Sequence, residues 1–433
     1  MKTLASLLSI LLLFSCTSPQ DEPSDIPAQE ADSSSMPKAV TPAEFPERVE
    51  TKWVKLELTE DEQQLSEGNK TFALNLFKQT YKTKTESNFV VSPLSLSYAL
   101  AMTANGATGN TLSEIKSVLG FENYPLADVN AFYKKLTNYM LTADGQTILA
   151  TANSVWANQH IPLLPDFINV NKDNYAAEVQ NVNFGNPNTV QEINQWVSDQ
   201  TYRCIPALLN ETNPNDIVYL INALYFDGLW QSAMGEYPEL IFTNADGSKS
   251  TVPAVTGGSI WAKREYYAAD NAEIGSLHYG NGAYSMVFVL PKTEQTVQQT
   301  VESLTLTQWN EWMEGLKSGY IIFAMPTFRL NSSYDLVDDL KTMGIRSAFS
   351  SPNKEFMNMV NLEDIYISKI VQKTYIDVNK KGTTASAASL VKKMNGMTIL
   401  PEPTQFYIDH PFLFAIKENS TNTILFMGSV EKL

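Results

Sequence analysis

Apolar side chains recur at helical spacing in the first third of the chain. Between residues 62 and 80, Leu65, Phe72, Leu74, Leu76 and Phe77 carry the pattern, and 94–104 and 112–119 repeat it, so all three stretches predict helices. Residues 284–291, 321–326 and 423–428 are short apolar or alternating runs bounded by Pro or Gly, which predict strands. Helices thus crowd the first third and strands the last two thirds. That order predicts an α+β fold with helices grouped against large sheets. Residues 378–410 fit neither period. After Lys380, Lys381 and Gly382 come seven small residues, Thr383, Thr384, Ala385, Ser386, Ala387, Ala388 and Ser389, then Met394, Asn395, Gly396 and Met397, and then Pro401-Glu402-Pro403. About thirty residues without a packed element exceed ordinary loop length, so this stretch is either functional or disordered.

The start of the chain changes the picture of where it works. Lys2, an apolar run over 4–14 and Ser15-Cys16 form a segment too short for a membrane-spanning helix, which needs about twenty apolar residues. It reads as a cleaved leader over 1–15. A cysteine at the cut resembles the bacterial lipoprotein signal, in which Cys16 is diacylated and becomes the anchored first residue. The alternative is an ordinary secretory leader with an incidental cysteine and a secreted or periplasmic product. Residues 17–47 are rich in Pro, Ser, Ala and acids and predict an extended tether, taken as 16–49. The acidic run after Cys16 resembles export tags of lipoproteins displayed on the outer face of some Gram-negative bacteria, so surface exposure on the outer membrane is expected. Residues 50–433 show no linker-like break and are read as one large domain.

The net charge of −16 argues against nucleic acid and other polyanions, which require clustered Lys and Arg. Cys16 and Cys204 are the chain's two cysteines; with Cys16 lipidated, Cys204 is expected to be a buried apolar residue outside any disulfide. Enzyme chemistry finds little support. His160, His278 and His410 stand in no metal-ligand spacing, no GxSxG elbow accompanies the many serines, and no phosphate-binding or dinucleotide glycine motif occurs. No metal and no cofactor are expected.

Several motifs resemble the serpin family in order and spacing: NFVVSPLSLSYALAMTANGA at 88–107, LINALYFDGLW at 220–230, PTFR at 326–329 with SYDL at 333–336, VNKKGT at 378–383, and DHPFLF at 409–414 with FMG at 426–428. The resemblance runs from about residue 60 to the end. It implies three β-sheets, eight or nine helices and an exposed reactive loop, here about 380–406, that enters the central sheet after a protease cuts it. Serpin loop insertion is a known example of strand addition and of released strain. Such a protein is a consumed trap for an extracellular serine or cysteine protease and not a turnover catalyst. A monomer is expected.

The resemblance also assigns residues. Lys381, Gly382, Thr383, Thr384, Ala385, Ser386, Ala387 and Ala388 match the hinge. On an inserted strand Thr383, Ala385, Ala387 and Ser389 would face one side and Thr384, Ser386, Ala388 and Leu390 the other. Ser92, Ser95 and Asn222 match a polar cluster beneath the central sheet, Gln372 stands in the place of that cluster's histidine, and Trp230 matches a tryptophan under the loop's entry point. Lys380-Lys381 replaces an acid-rich pair common in inhibitory members. The segment between Gly382 and Phe406 is about four residues longer than in common members, so several bonds compete as the cut. Met397-Thr398 is favoured, with Gly396, Asn395, Met394 and Lys393 as alternatives; a cut after Lys393 would shorten the inserted strand by about 10 Å relative to Gly396. The favoured bond suggests elastase-, chymotrypsin- or subtilisin-like targets, and a trypsin-like target follows if Lys392 or Lys393 is used. A heparin-type cofactor is not expected, because Lys116, Lys134 and Lys135 are too few for a basic face. The competing reading is a non-inhibitory serpin that acts as a binding or scaffold protein.

Overall fold

The computed structural model describes residues 46–257, 263–382 and 402–433. Helix α1 (Glu60–Thr83) starts on a capping box: Glu62 N–H donates to Thr59 Oγ1 at 3.3 Å and Thr59 N–H to the Glu62 carboxylate at 2.8 Å, which satisfies two otherwise orphaned donors. Strand β1 (Phe89–Val91) leads into α2 (Pro93–Gly106). Pro93 sits in the first turn, where its missing N–H costs nothing. Every residue of α2 except Asn105 is buried, as expected of a helix apolar all round that runs through a core. Then come α3 (Gly109–Leu119), α4 (Leu126–Met140), β2 (Thr147–Asn158), α5 (Pro165–Tyr175), β3 (Glu178–Val182), α6 (Asn188–Gln200) and β4 (Val218–Gly228). Strands β5 (Met234–Thr243), β6 (Lys249–Gly257), β7 (Lys263–Ala268), β8 (Ala272–Tyr279) and β9 (Tyr284–Pro291) precede α7 (Val297–Ser303) and α8 (Leu306–Gly315). The chain closes with β10 (Lys317–Pro326), β11 (Phe328–Asp335), α9 (Val337–Met343), β12 (Ile367–Val378), β13 (Thr404–Tyr407), β14 (Phe412–Glu418) and β15 (Ile424–Val430).

These elements make an α+β fold with nine α-helices among the described residues. One sheet has the order β11-β12-β4-β2-β3. A second runs β1-β15-β14-β9-β8-β7 and continues into a third through a shared strand, β10. The first half of β10 pairs antiparallel with β7, and its second half pairs with β6 and, in parallel, with β13. Helix α2 lies between the five-stranded sheet and β15, and its side chains Leu94, Leu96, Tyr98 and Met102 join the main core.

Three expectations change. The return segment after Pro403 contains strand β13, with Phe406 buried over Gly275. Arg48 and Val49, at the end of the stretch read as a tether, bond to the body of the protein, and residues 16–45 of that stretch lie outside the described residues. Cys204 is buried as expected beside Ile148, Ala150 and Tyr225, but it is disulfide-bonded and not a lone thiol; its partner lies outside the described residues.

A candidate insertion site in the central sheet

Strands β4 and β12 run parallel, and their ladder extends from Ile367 opposite Val218 to Lys373 opposite Ala223. Above that point no pairing joins them among the described residues. Each strand is nonetheless held on its outer edge to its end: β2 stays paired with β4 up to Gly228, and β11 with β12 up to Val378. The upper halves therefore flank a seam lined by Tyr225, Asp227, Trp230, Tyr375, Asp377 and Gly382. Burial raises the pKa of Tyr225 and Tyr279 above the ordinary phenol range, and the nearby Asp227 carboxylate pushes the same way. Both phenols stay protonated, so the seam's aromatic wall is uncharged.

Strand β12 ends at the mouth of this seam in a tight turn. Gly382 N–H donates to Asn379 O at 3.2 Å and Lys381 N–H to Asn379 Oδ1 at 2.9 Å, the pattern of a β-turn that reverses the chain. Gly382 has φ +49°, and a Cβ placed there would come within 2.3 Å of Trp230 N. Glycine is required both by the left-handed conformation and by the close approach. Trp230 Nε1–H donates to Asn379 O at 3.0 Å, and its ring stacks on Tyr279 with centroids 4.4 Å apart. Lys380 reaches Glu236 on β5 at 3.0 Å. This exposed pair gives the basic turn an acidic partner, though such pairs contribute little energy.

At the lower end of the seam the polar residues form a buried clamp. Ser92 N–H donates to Gln372 Oε1 at 2.9 Å, and Gln372 Nε2 donates to Ser92 O at 2.7 Å. Ser92 Oγ donates to Leu425 O at 2.8 Å. One side chain thereby ties β12 to the start of α2, which is itself tied to β15. Asn222 lies opposite Gln372 in the ladder and donates to Asn153 Oδ1, whose amide donates to Tyr175 O at 3.0 Å. Ser95 is buried beside this group, yet its hydroxyl makes no hydrogen bond to Ser92, Asn222 or Gln372. Thr374 adds a further tie, donating to Val90 O at 2.9 Å, while Val90 N–H donates to Ser332 Oγ at 3.2 Å.

The structure thus brings Ser92, Gln372 and Asn222 together and places Trp230, Lys381 and Gly382 at the opposite end of the same seam. Asn153, Thr374, Ser332, Tyr279 and Asn379 were missed. Asn153 and Thr374 were detectable as single polar residues within apolar strand runs. Thr383, Thr384, Ala385, Ser386, Ala387 and Ala388, expected as hinge, Lys393, Met394, Asn395, Gly396, Met397 and Thr398, expected as bait, and Cys16 lie outside the described residues.

Two histidine clusters bear on enzyme chemistry. His278 Nδ1 lies 2.7 Å from Ser285 Oγ, and its Nε2 lies 3.3 Å from Glu265. That contact resembles a nucleophile and base, but Ser285 is wholly buried and also receives the Asn419 amide at 2.6 Å. No substrate can reach it. His410 is held between Asp409 and the carbonyl of Pro291, both at 2.8 Å. Burial opposes its charge, but these two acceptors lift its pKa above the ordinary value.

Comparison with known proteins decides the family. Residues 67–433 match the family model described as serpin (serine protease inhibitor). This chain is a serpin. Among the serpins it is similar to, leukocyte elastase inhibitor of Homo sapiens is 32% identical over 380 residues, covering 84% of this chain and 98% of the relative. Leukocyte elastase inhibitor A of Mus musculus is 31% identical over 386 residues, covering 85% and 99%. The native-state crystal structure of the thermophilic serpin tengpin superposes with a TM-score of 0.77 at 28% identity, covering 89% of this chain and 97% of that one. Serpins are protease inhibitors and not catalytic enzymes, and relatives of this kind support a protease-inhibitor role for the present serpin.

Proposed function

We propose that this serpin is a suicide-substrate inhibitor of extracellular serine proteases, with cysteine proteases as a second target class, and that the seam between β4 and β12 receives its cleaved loop. The observation that carries the proposal is the seam itself, open above Lys373 and Ala223 with the Gly382 turn at its mouth. A chain reversed at 379–382 and entering there would run antiparallel to both neighbours. Insertion exchanges one parallel ladder for two antiparallel ones, which are the more favourable pairing. The small residues Thr383, Ala385, Ala387 and Ser389 suit a strand that must slide over a packed core. A protease acylated at the loop would be carried along and its active site distorted.

The favoured bait is Met397-Thr398, and the favoured targets are elastase-, chymotrypsin- or subtilisin-like. The test is incubation with one protease of each kind and one trypsin-like enzyme. An SDS-resistant band at the summed mass is expected, with a released fragment beginning at Thr398. Cleavage by every enzyme without such a band, and without a gain in thermal stability, rejects the inhibitor. A fragment beginning at Met394 moves the bait to Lys393. The sparse Lys116, Lys134 and Lys135, the last already paired with Glu62 at 2.6 Å, support independence from heparin, and the protein is proposed to work as a monomer.

The leader pattern supports a lipid on Cys16 and display on a bacterial outer membrane, whereas the disulfide at Cys204, in a chain with one other cysteine, opposes it. A thioether-linked lipid on Cys16 and a bond from Cys16 to Cys204 exclude each other. The intact mass of the purified mature chain decides: acyl-chain mass on a chain starting at Cys16 is expected, and an unlipidated chain with the two cysteines joined refutes the anchor.

A further inference from the structure

At the foot of the seam one cation spans the two strands that must part. Lys369 on β12 holds its ammonium 5.1 Å from the centre of the Tyr219 ring on β4 and 3.8 Å from Asp216 Oδ2. The Tyr219 hydroxyl donates to the same carboxylate. The Lys369 and Asp216 side chains are 28% and 18% exposed, so water screens them less than an open surface pair. Tyr219, Ile221 and Val371 pack with Ile193 and Val197 of α6. Side chains alternate along a strand, so Lys369, two residues from Val371, stands on that same α6-covered face.

The turn at 379–382 sets which residue of an entering strand reaches this level, because a hairpin's register follows from its turn. With Asn379 and Gly382 closing the turn, Val378 meets Thr383, and nine positions further on Lys369 meets Lys392. Directly opposed residues of an antiparallel pair share a face, which puts Lys392 on the α6 side. Two other levels agree with this register. Leu390 falls beside Val371 and Ile221, within the apolar cluster under α6. Ser389 falls on the core side between Gln372 and Asn222, where Asn222 Oδ1 and the Ser95 hydroxyl are buried without a hydrogen-bond partner among the described residues. An added strand moves β12 about 4.8 Å further from β4, which draws Lys369 away from Asp216 and Tyr219. The side chain that arrives between them carries the same ammonium group.

We infer that Asp216 and Tyr219 form a lysine site at the foot of the seam that passes from Lys369 to Lys392 when the loop enters. The inference rests on the reading of the seam as the loop's entry site. It makes Lys392 a positioning residue for the inserted strand, since a slip by one residue turns it to the core face and leaves the Asp216 carboxylate without its cation.

The experiment needs no protease. The labelled peptide TTASAASLVKKMNG, the sequence of 383–396, is loaded into full-length protein, and its release is followed by fluorescence anisotropy after excess unlabelled peptide is added. A peptide with Lys392→Met is expected to leave wild-type protein about fivefold faster than the native peptide, as for loss of a partly screened ion pair with a cation–π contact. From Asp216→Asn protein the gap should shrink to less than about twofold, the cation–π contact being what remains. A peptide with Lys393→Met, changed on the core side, should leave at the same rate relative to the native peptide from both proteins. Circular dichroism establishes that Asp216→Asn folds. If it does not, wild-type protein decides through salt: peptides that keep Lys392 should leave faster as salt screens the pair, and the Lys392→Met peptide should not. Equal release of the native and Lys392→Met peptides from wild-type protein, an undiminished gap with Asp216→Asn, or a salt response shared by all peptides overturns the handover and leaves the inhibitor reading standing. No uptake of any peptide overturns both.

Discussion

The clamp between Gln372 and Ser92 gives the sharpest test of what holds the closed sheet. Gln372→Leu keeps nearly the same side-chain size and removes both hydrogen bonds. The Ser92 carbonyl retains Leu96 N–H at 3.3 Å, but the Ser92 N–H, in a residue with no solvent exposure, loses its acceptor. An orphaned buried donor costs about 1–3 kcal/mol, and the second lost bond about 1 kcal/mol more. The more apolar leucine offsets part of this at a site only 2% exposed, which leaves a net destabilisation of about 1–3 kcal/mol. The measurement is urea unfolding of the uncleaved protein, read by tryptophan fluorescence. Because the clamp joins β12 to α2, peptide uptake into the seam should also accelerate. Gln372→His, whose ring can also donate and accept, should recover most of the loss. If Gln372→Leu unfolds within about half a kcal/mol of wild type, the clamp does not hold β12 and the argument for it fails.

Gly382→Ala forces a side chain into the left-handed region at a cost of about 1–2 kcal/mol and drives its Cβ against Trp230; the turn should lift off, and the difference spectrum between protein with Trp230 and with Trp230→Phe should shift to longer wavelength. Thr383→Arg places a long charge where the inserting strand begins, so the protease should cleave the variant with little stable complex, measured as the ratio of cleaved to complexed band on a denaturing gel. Lys417 is buried at the end of β14 and donates to Asn419 and Asn422 at 2.7 Å. Burial lowers its pKa from 10.5 to about 8, with Lys70 acting in the same direction and Glu418 and Glu265 against it. The unfolded chain holds this proton to higher pH than the folded one, so this lysine makes stability rise with pH between about 8 and 10.5. Lys417→Met should flatten that rise, by up to about 3 kcal/mol across the window, in denaturation midpoints compared at each pH.

Periodic elements were legible because their signal is local. Leu65, Phe72 and Leu76 marked α1, and the run ending at Pro291 marked β9 with the bounds the structure shows. β13 was not legible: four residues between Pro403 and Asp409 pair with β10, some eighty positions earlier, and no local period announces such a partner. The buried Lys417 and Glu418 were hidden for a related reason. Their types suggest surface, but the turn at 419–422 supplies the amide and hydroxyl partners that make burial tolerable. At the site, Ser92, Asn222, Gln372 and Trp230 were found through motif resemblance, and chemistry alone would have left them as packing. Asn153 carried the weakest trace, one amide in an apolar strand, because its meaning depends on Asn222 facing it across the ladder.

Strand β13 pairs with β10, β14 lies between β9 and β15, and β15 meets β1. Among the described residues, every strand after the proposed bait is therefore woven into sheets built from residues before it. A chain cut at the proposed bait bond would in effect be a heterodimer of a long and a short polypeptide whose interface is the protein's own core. Such a dimer has no dissociated form short of unfolding, so gel filtration would report an undivided particle.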